Sequence, residues 1–232
     1  MRCWPTRQPA LFPLDRSIRD EVLVLCLFSS KGGVGCSVSA ASLALLSARS
    51  APTLLVDLRG DIDAILGLPT STEGLSDWFS LDEPSPDVLH RLEVAVNPGL
   101  SLLPRGSCRS PARPERYRLL SRLLSGDGRR VVVDVGTHSV PAVALIADAS
   151  ASILVTRACF LALDAARRGP IADGVLLIEE PGRVLRPSDV SAAVGVGIAV
   201  QLRWHRDVAR AVDAGLLSAK LPKALQSLEA LL

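Results

Sequence analysis

Short apolar runs alternate with helical periods along most of this chain. The run from Glu21 to Phe28 is strand-sized. Six more runs follow it, at Thr53–Asp57, Leu100–Pro104, Val131–Asp134, Ser152–Thr156, Val175–Ile178 and Val196–Val200. After the first run, Val38, Ala41, Ser42 and Leu45 fall on one face of a helix. Further helical patterns lie near 74–80, 84–92, 114–125, 141–148, 160–168, 187–193 and 206–216. Continuous apolar strands separated by helices require a sheet covered on both faces. The pattern therefore predicts a doubly wound α/β domain with a mostly parallel sheet of about seven strands, its site loops at the strand carboxyl ends. Residues 1–20 hold three prolines and four arginines without a period, and are expected to form a flexible tail. Residues 21–232 then make a single domain. Its last part, about 221–232, is expected to be an amphipathic helix with Leu221, Leu225, Leu228 and Leu232 on one face and Pro222 in its first turn.

Composition adds mainly exclusions. At 232 residues, 48% hydrophobic and 22% charged, the chain can build a core without a disulfide or metal staple. Disorder as its main character is excluded. No stretch approaches the ~20 apolar residues of a membrane span, and the start lacks the apolar core of a signal peptide. A cytoplasmic protein is expected. The five cysteines contain no C-x-x-C pair and the three histidines are scattered, which disfavours a zinc site. The net charge of +2 selects no partner. Of 26 basic residues only Lys31, Lys220 and Lys223 are lysines, a bias typical of a GC-rich bacterial genome. Lys31 stands out against that bias.

The segment Ser30-Lys-Gly-Gly-Val-Gly-Cys-Ser37 links the first strand to its helix. Glycines there let successive backbone N–H groups turn toward phosphate oxygens, and the helix N-terminus adds about half a positive charge. In the general phosphate loop, G-x-x-x-x-G-K-[ST], a lysine reaches the β/γ-phosphates and a hydroxyl binds Mg²⁺. Gly35 and Ser37 match that pattern, Ser30 stands at its first glycine, and Cys36 takes the lysine position.

With Lys31 placed before Gly32 and Gly33, the loop resembles K-G-G-V-G-K-[ST], the deviant Walker A motif of the ParA/MinD family of positioning ATPases. Only the second lysine differs. Leu54-Leu-Val-Asp57 resembles that family's second strand, and Val131-Val-Val-Asp134-Val-Gly-Thr137 resembles its Walker B strand and second switch. Ala149–Thr156 resembles the strand that follows. The resemblance covers about residues 21–220. Leu66–Pro69, Gly99–Gly106 and Arg210–Leu217 add a likeness to actinobacterial ParA-like and pilus-associated TadZ/CpaE-like members. The resemblance implies ATP or ADP bound with Mg²⁺ by Lys31, Gly32, Gly33, Val34, Gly35, Cys36 and Ser37. Ser37, Asp57 and Asp134 would then serve the metal. It also implies a homodimer in which Lys31 reaches the partner's phosphates, and a cargo adaptor. The cargo would be a chromosome or plasmid locus, the division site, or a pilus or secretion apparatus, with polar or nucleoid association.

Two departures bear on activity. Cys36 removes a lysine, and Arg59 stands where the family usually has a second aspartate that prepares the attacking water. Asp61, two residues on, is misplaced for direct replacement. Losing a general base typically costs ~10² to 10⁴ in rate, so hydrolysis should be weak or absent. The alternatives are a nucleotide-independent scaffold on a relic phosphate loop, and a slow ATPase in which Arg59, Lys31 or a partner residue compensates. A reactive Cys36 thiol at the helix N-terminus is also conceivable chemically, but no histidine lies near it in sequence. Arg113, Arg116, Arg118 and Arg122 lie in an arginine-rich segment, Arg105 to Arg130 with Arg109 and Arg129, that offers a nonspecific DNA contact. The terminal segment has a weak basic face, so packing on the sheet or a partner is favoured over a membrane.

Overall fold

Every residue of β1 (Val24–Ser29) is buried, as a strand in the middle of a two-faced sheet must be. The computed structural model describes residues 24–108, 113–139 and 141–232. The tail expected over residues 1–20, the start of the first apolar run and Arg109 lie outside the described residues. The elements run β1, α1 (Cys36–Ser47), β2 (Thr53–Asp57), α2 (Ile62–Leu66), α3 (Leu75–Ser80), α4 (Pro86–Arg91), β3 (Val94–Asn97), β4 (Leu100–Leu103), α5 (Pro114–Ser125) and β5 (Arg130–Thr137). They continue with α6 (Val143–Asp148), β6 (Ala151–Arg157), α7 (Phe160–Ala166), β7 (Gly174–Glu179), α8 (Pro187–Val194), β8 (Ile198–Arg203) and α9 (Arg206–Asp213). A 3₁₀ helix, Lys223–Leu231, follows.

The strands form one sheet in the order β3-β4-β2-β5-β1-β6-β7-β8, parallel except for β3. Successive side chains of β1 part to opposite faces. Leu25 and Leu27 join α1, α2 and the terminal 3₁₀ helix in one core, while Cys26 and Phe28 join α5 and α6 in the other. The doubly wound α/β prediction is therefore met, with one strand more than the seven expected. The extra strand, β3, is a four-residue edge strand whose residues alternate between half-buried and exposed. Pro98 and Gly99 turn it back onto β4, and Gly99 donates to Asn97 Oδ1 at 2.9 Å. Lacking an apolar run, it was hidden from a search for buried strands. At the other edge β8 lies later than expected, at 198–203 instead of 196–200, because an edge strand turns Gln201 and Arg203 outward and no longer reads as continuous apolar sequence.

Two helices differ from expectation in instructive ways. Ten of the twelve residues of α1 are buried, far more than one apolar stripe, because the sheet, α2 and the terminal segment surround it. Its serines and alanines permit that close approach. The terminal segment is a 3₁₀ helix instead of an amphipathic α-helix. It buries Leu225, Leu228 and Leu231, an exact three-residue spacing that suits three residues per turn and stacks the leucines on one line. That line packs on β8 and α1. Those three leucines are buried there, and among the described residues no helix is long and apolar enough to span a membrane.

Candidate phosphate-binding site

The glycine loop springs from the carboxyl end of β1, between β5 and β6. Consecutive connections leave to opposite sides there, the place where open α/β sheets bind ligands. Gly33 and Gly35 have φ of +75° and +100°, a region that side chains with a Cβ avoid. Gly35 caps α1 at its N-terminus, so the helix's free N–H groups face the loop. Lys31, Gly32 and Gly33 are exposed, Val34 and Cys36 are buried, and Gly35 and Ser37 lie between.

Two carboxylates stand across from the loop. Asp57 and Asp134 are register partners on neighbouring strands, and both are almost wholly buried. Their roles differ. Asp57 organises its own turn: Oδ1 accepts from the N–H groups of Arg59 and Gly60, both at 2.7 Å, and Oδ2 accepts from Ile62 N–H at 3.1 Å. Burial raises its pKa, opposed by those three bonds. Asp134 Oδ1 accepts from Gly136 N–H at 3.0 Å, while its Oδ2 has no well-directed partner, with the Ser37 hydroxyl and Cys36 thiol close by. A bulge beside it, where Leu27 pairs with Asp134 but Phe28 with Gly136, interrupts the ladder at the strand's functional end. Burial is the main reason its pKa rises to about 6, the Ser37 hydroxyl opposes that rise, and the Asp57 charge adds to it. The Cys36 thiol is pushed well above its ordinary range by burial first and by Asp134 second. Burial thus disfavours the thiolate that a reactive cysteine would need.

The opposite wall was not anticipated. Arg157, at the end of β6, donates through one terminal nitrogen to the Gly33 carbonyl and through the other to Glu180 Oε1 at 2.6 Å. Its Nε is buried without a partner. A hint lay in the sequence: Arg157 directly follows the apolar run Ser152–Thr156. His138 donates from its backbone N–H to the Ser29 carbonyl, and its ring Nδ1 lies 3.1 Å from the same oxygen, joining β5 to the loop's base. A cavity of about 570 Å³ runs from the loop to Trp204, His205 and α9. Arg59 and Asp61 line the same cavity, and Asp61 is exposed at the start of α2.

Among the described residues, the buried side-chain polar atoms without a partner are Ser30 Oγ, Asp134 Oδ2 and Arg157 Nε. All three border the glycine loop. The fold so described closely parallels solved nucleotide-binding proteins. It superimposes on a ParA family ATPase from Chlorobium tepidum TLS with a TM-score of 0.76 at 20% identity, covering 90% of this chain and 96% of that one. The fold is that of the ParA and MinD ATPases. The septum site-determining protein MinD of Pyrococcus horikoshii OT3, complexed with Mg-ADP, matches with a TM-score of 0.73 at 18% identity over 90% of this chain and 93% of that one. MinD in the MinC:MinD cell division protein complex of Aquifex aeolicus gives 0.72 at 17% identity over 90% and 93%. No family model matches the chain, and no curated protein matches it by sequence.

Within this ParA/MinD fold the arginine-rich segment is partly used up by local bonds. Arg116 donates to the carbonyls of Leu81 and Asp82, the latter at 3.0 Å. Arg129 forms paired bonds to Glu93 and Asp127, between 2.6 and 2.8 Å. Arg113, Arg118 and Arg122 stay exposed.

Proposed function

We propose that this protein is a ParA/MinD-like positioning protein that binds ATP or ADP with Mg²⁺ and hydrolyses it weakly or not at all. The observation that carries the reading is the grouping of the three unpartnered buried polar atoms around one glycine loop. Each such atom costs about 1–3 kcal/mol if nothing satisfies it. A phosphate on the loop and a hydrated cation beside Asp134 are the chemistry that would do so.

The residues fit a Mg-nucleotide in specific ways. Backbone N–H groups from Gly32 to Ser37 and the α1 terminus would hold phosphate, and Ser37 with Asp134 would hold the cation through oxygen ligands. Mg²⁺ bound there neutralises phosphate charge. Asp57 supports the site by fixing the β2–α2 turn. Arg59 occupies the position from which the family's second aspartate would act, and Asp61, in the same cavity, is displaced from it by two residues. The protein is thus read as a nucleotide-held switch, acting as one domain over residues 21–232. It works as a homodimer with Lys31 on the shared face and carries a partition, division-site or pilus cargo through an adaptor. Arg113, Arg118 and Arg122 are its available surface for DNA.

Calorimetric titration of the full chain with Mg-ATP and Mg-ADP tests this reading. Micromolar binding, together with turnover at least roughly a hundredfold below an intact relative, is the expected result. Absence of binding favours the nucleotide-independent scaffold, for which the loss of the loop's second lysine is the supporting observation. Turnover equal to an intact relative favours the ATPase.

A further inference from the structure

In the general phosphate loop the lysine precedes the hydroxyl residue, and here that position holds the buried Cys36. A cation nevertheless reaches the same cavity from another element. Arg59 follows the end of β2. Its N–H donates to Asp57 Oδ1 at 2.7 Å, and its carbonyl accepts from Arg105 Nη1 at 3.2 Å. Those two bonds fix the direction in which its side chain departs. The stem then crosses the bare face of Gly136, where Cγ and Cδ would lie 2.2 Å from an added Cβ. Arg59, an exposed residue, thereby lines the cavity that Gly32–Ser37 also line. Among the described residues no carboxylate forms an ion pair with it.

We propose that Arg59 supplies the phosphate-facing cation that Cys36 does not, so that the charge missing from the loop returns from the β2–α2 turn. This rests on the nucleotide reading above and assigns one residue within it. The ligand class is a nucleoside di- or triphosphate. A forked, weakly hydrated guanidinium suits paired phosphate oxygens and keeps its charge when partly buried. Arg59 stands where a carboxylate would act on water, and the turn's own carboxylate, Asp61, lines the cavity two residues on. Glycine at 136 is what leaves room for the stem.

The test is calorimetric titration of Mg-ADP and Mg-ATP into the full chain and into Arg59→Met, Arg59→Lys, Cys36→Lys and the Cys36→Lys/Arg59→Met pair. Methionine keeps an unbranched stem over Gly136 and removes only the charge, and thermal melting of the unliganded variants confirms that they fold. Arg59→Met is expected to weaken binding roughly ten- to a hundredfold. Arg59→Lys should lose less, and Cys36→Lys should restore affinity in the methionine background. Equal affinity of Arg59→Met and the native chain overturns the assignment and leaves the nucleotide reading standing, with Lys31 the remaining cation on the loop. A loss that Cys36→Lys does not restore also overturns it, because it marks a structural role. If the native chain binds neither nucleotide, both readings fall together.

Discussion

The stem of Arg59 rests on the Cα of Gly136: a Cβ built there would lie 2.2 Å from both Cγ and Cδ and 2.9 Å from Nε of the arginine. Gly136 also has φ of +63°, so glycine is required there for two separate reasons. Gly136→Ala should cost about 2–4 kcal/mol, of which the left-handed backbone accounts for about 1–2. Adding Arg59→Ala to it should recover the remainder. Urea denaturation of the four chains measures that coupling. A coupling near zero would mean that the stem does not cross the glycine.

Asp134 gives a pH dependence of definite sign. Its folded pKa of about 6 stands above the ordinary aspartate value of 3.8, mainly through burial. Between those values the folded chain holds more protons than the unfolded one, so this group's contribution to stability falls as pH rises from about 4 to about 6, then levels. Asp57 shifts in the same direction and adds to the slope. Asp134→Asn is expected to flatten that slope and to gain up to roughly 3 kcal/mol at neutral pH, while weakening the Mg²⁺ dependence of nucleotide binding. Denaturation midpoints followed across this pH range check it. An unchanged slope would show that the buried carboxyl titrates normally.

Arg157 is expected to hold the loop in shape. Replacing it with alanine breaks its bonds to the Gly33 carbonyl and to Glu180. Hydrogen exchange at the amides of Gly32 to Gly35 should quicken by about tenfold or more, since a charged hydrogen bond of ~1.5–3 kcal/mol is lost. Exchange at the native rate would show that the glycines hold their own conformation.

The terminal leucines test how the last segment is anchored. Leu228 is fully buried against the core that includes α1 and β8, so Leu228→Ala should destabilise the chain by about 2–5 kcal/mol. The native chain should stay in the supernatant when spun with anionic vesicles. Pelleting with vesicles, or a negligible change in stability, would show that these leucines leave the core.

Much of this architecture was legible because buried parallel strands are written as continuous apolar runs. The runs ending at Phe28, Asp57 and Asp134 placed the loop and both acids correctly along the chain. Short amphipathic edges were not legible: β3 carries Glu93 beside it and alternates in burial, and β8 turns polar residues outward. The site was half visible. The glycine-loop pattern marked Lys31 to Ser37 and the family resemblance marked Asp57 and Asp134, but the carboxylates' different roles depend on which backbone N–H groups approach them. Arg157 was missed because its partner is a carbonyl, and carbonyls leave no trace in sequence. Arg59 was visible as a substitution, yet its course over Gly136 needs the bulge in β5 as well as the β2–α2 turn.

The burial of α1 has a mechanical consequence. Held by the sheet on one side and the terminal 3₁₀ helix on another, with ten of its twelve residues buried, it has no free face on which to slide or turn. It is a fixed anvil beneath the loop. On the proposed nucleotide reading, a change of state would run sideways along the rim, through the exposed segment Arg59–Asp61 and the partly exposed Thr137–Ser139. A partner that senses that change would then stand at the rim.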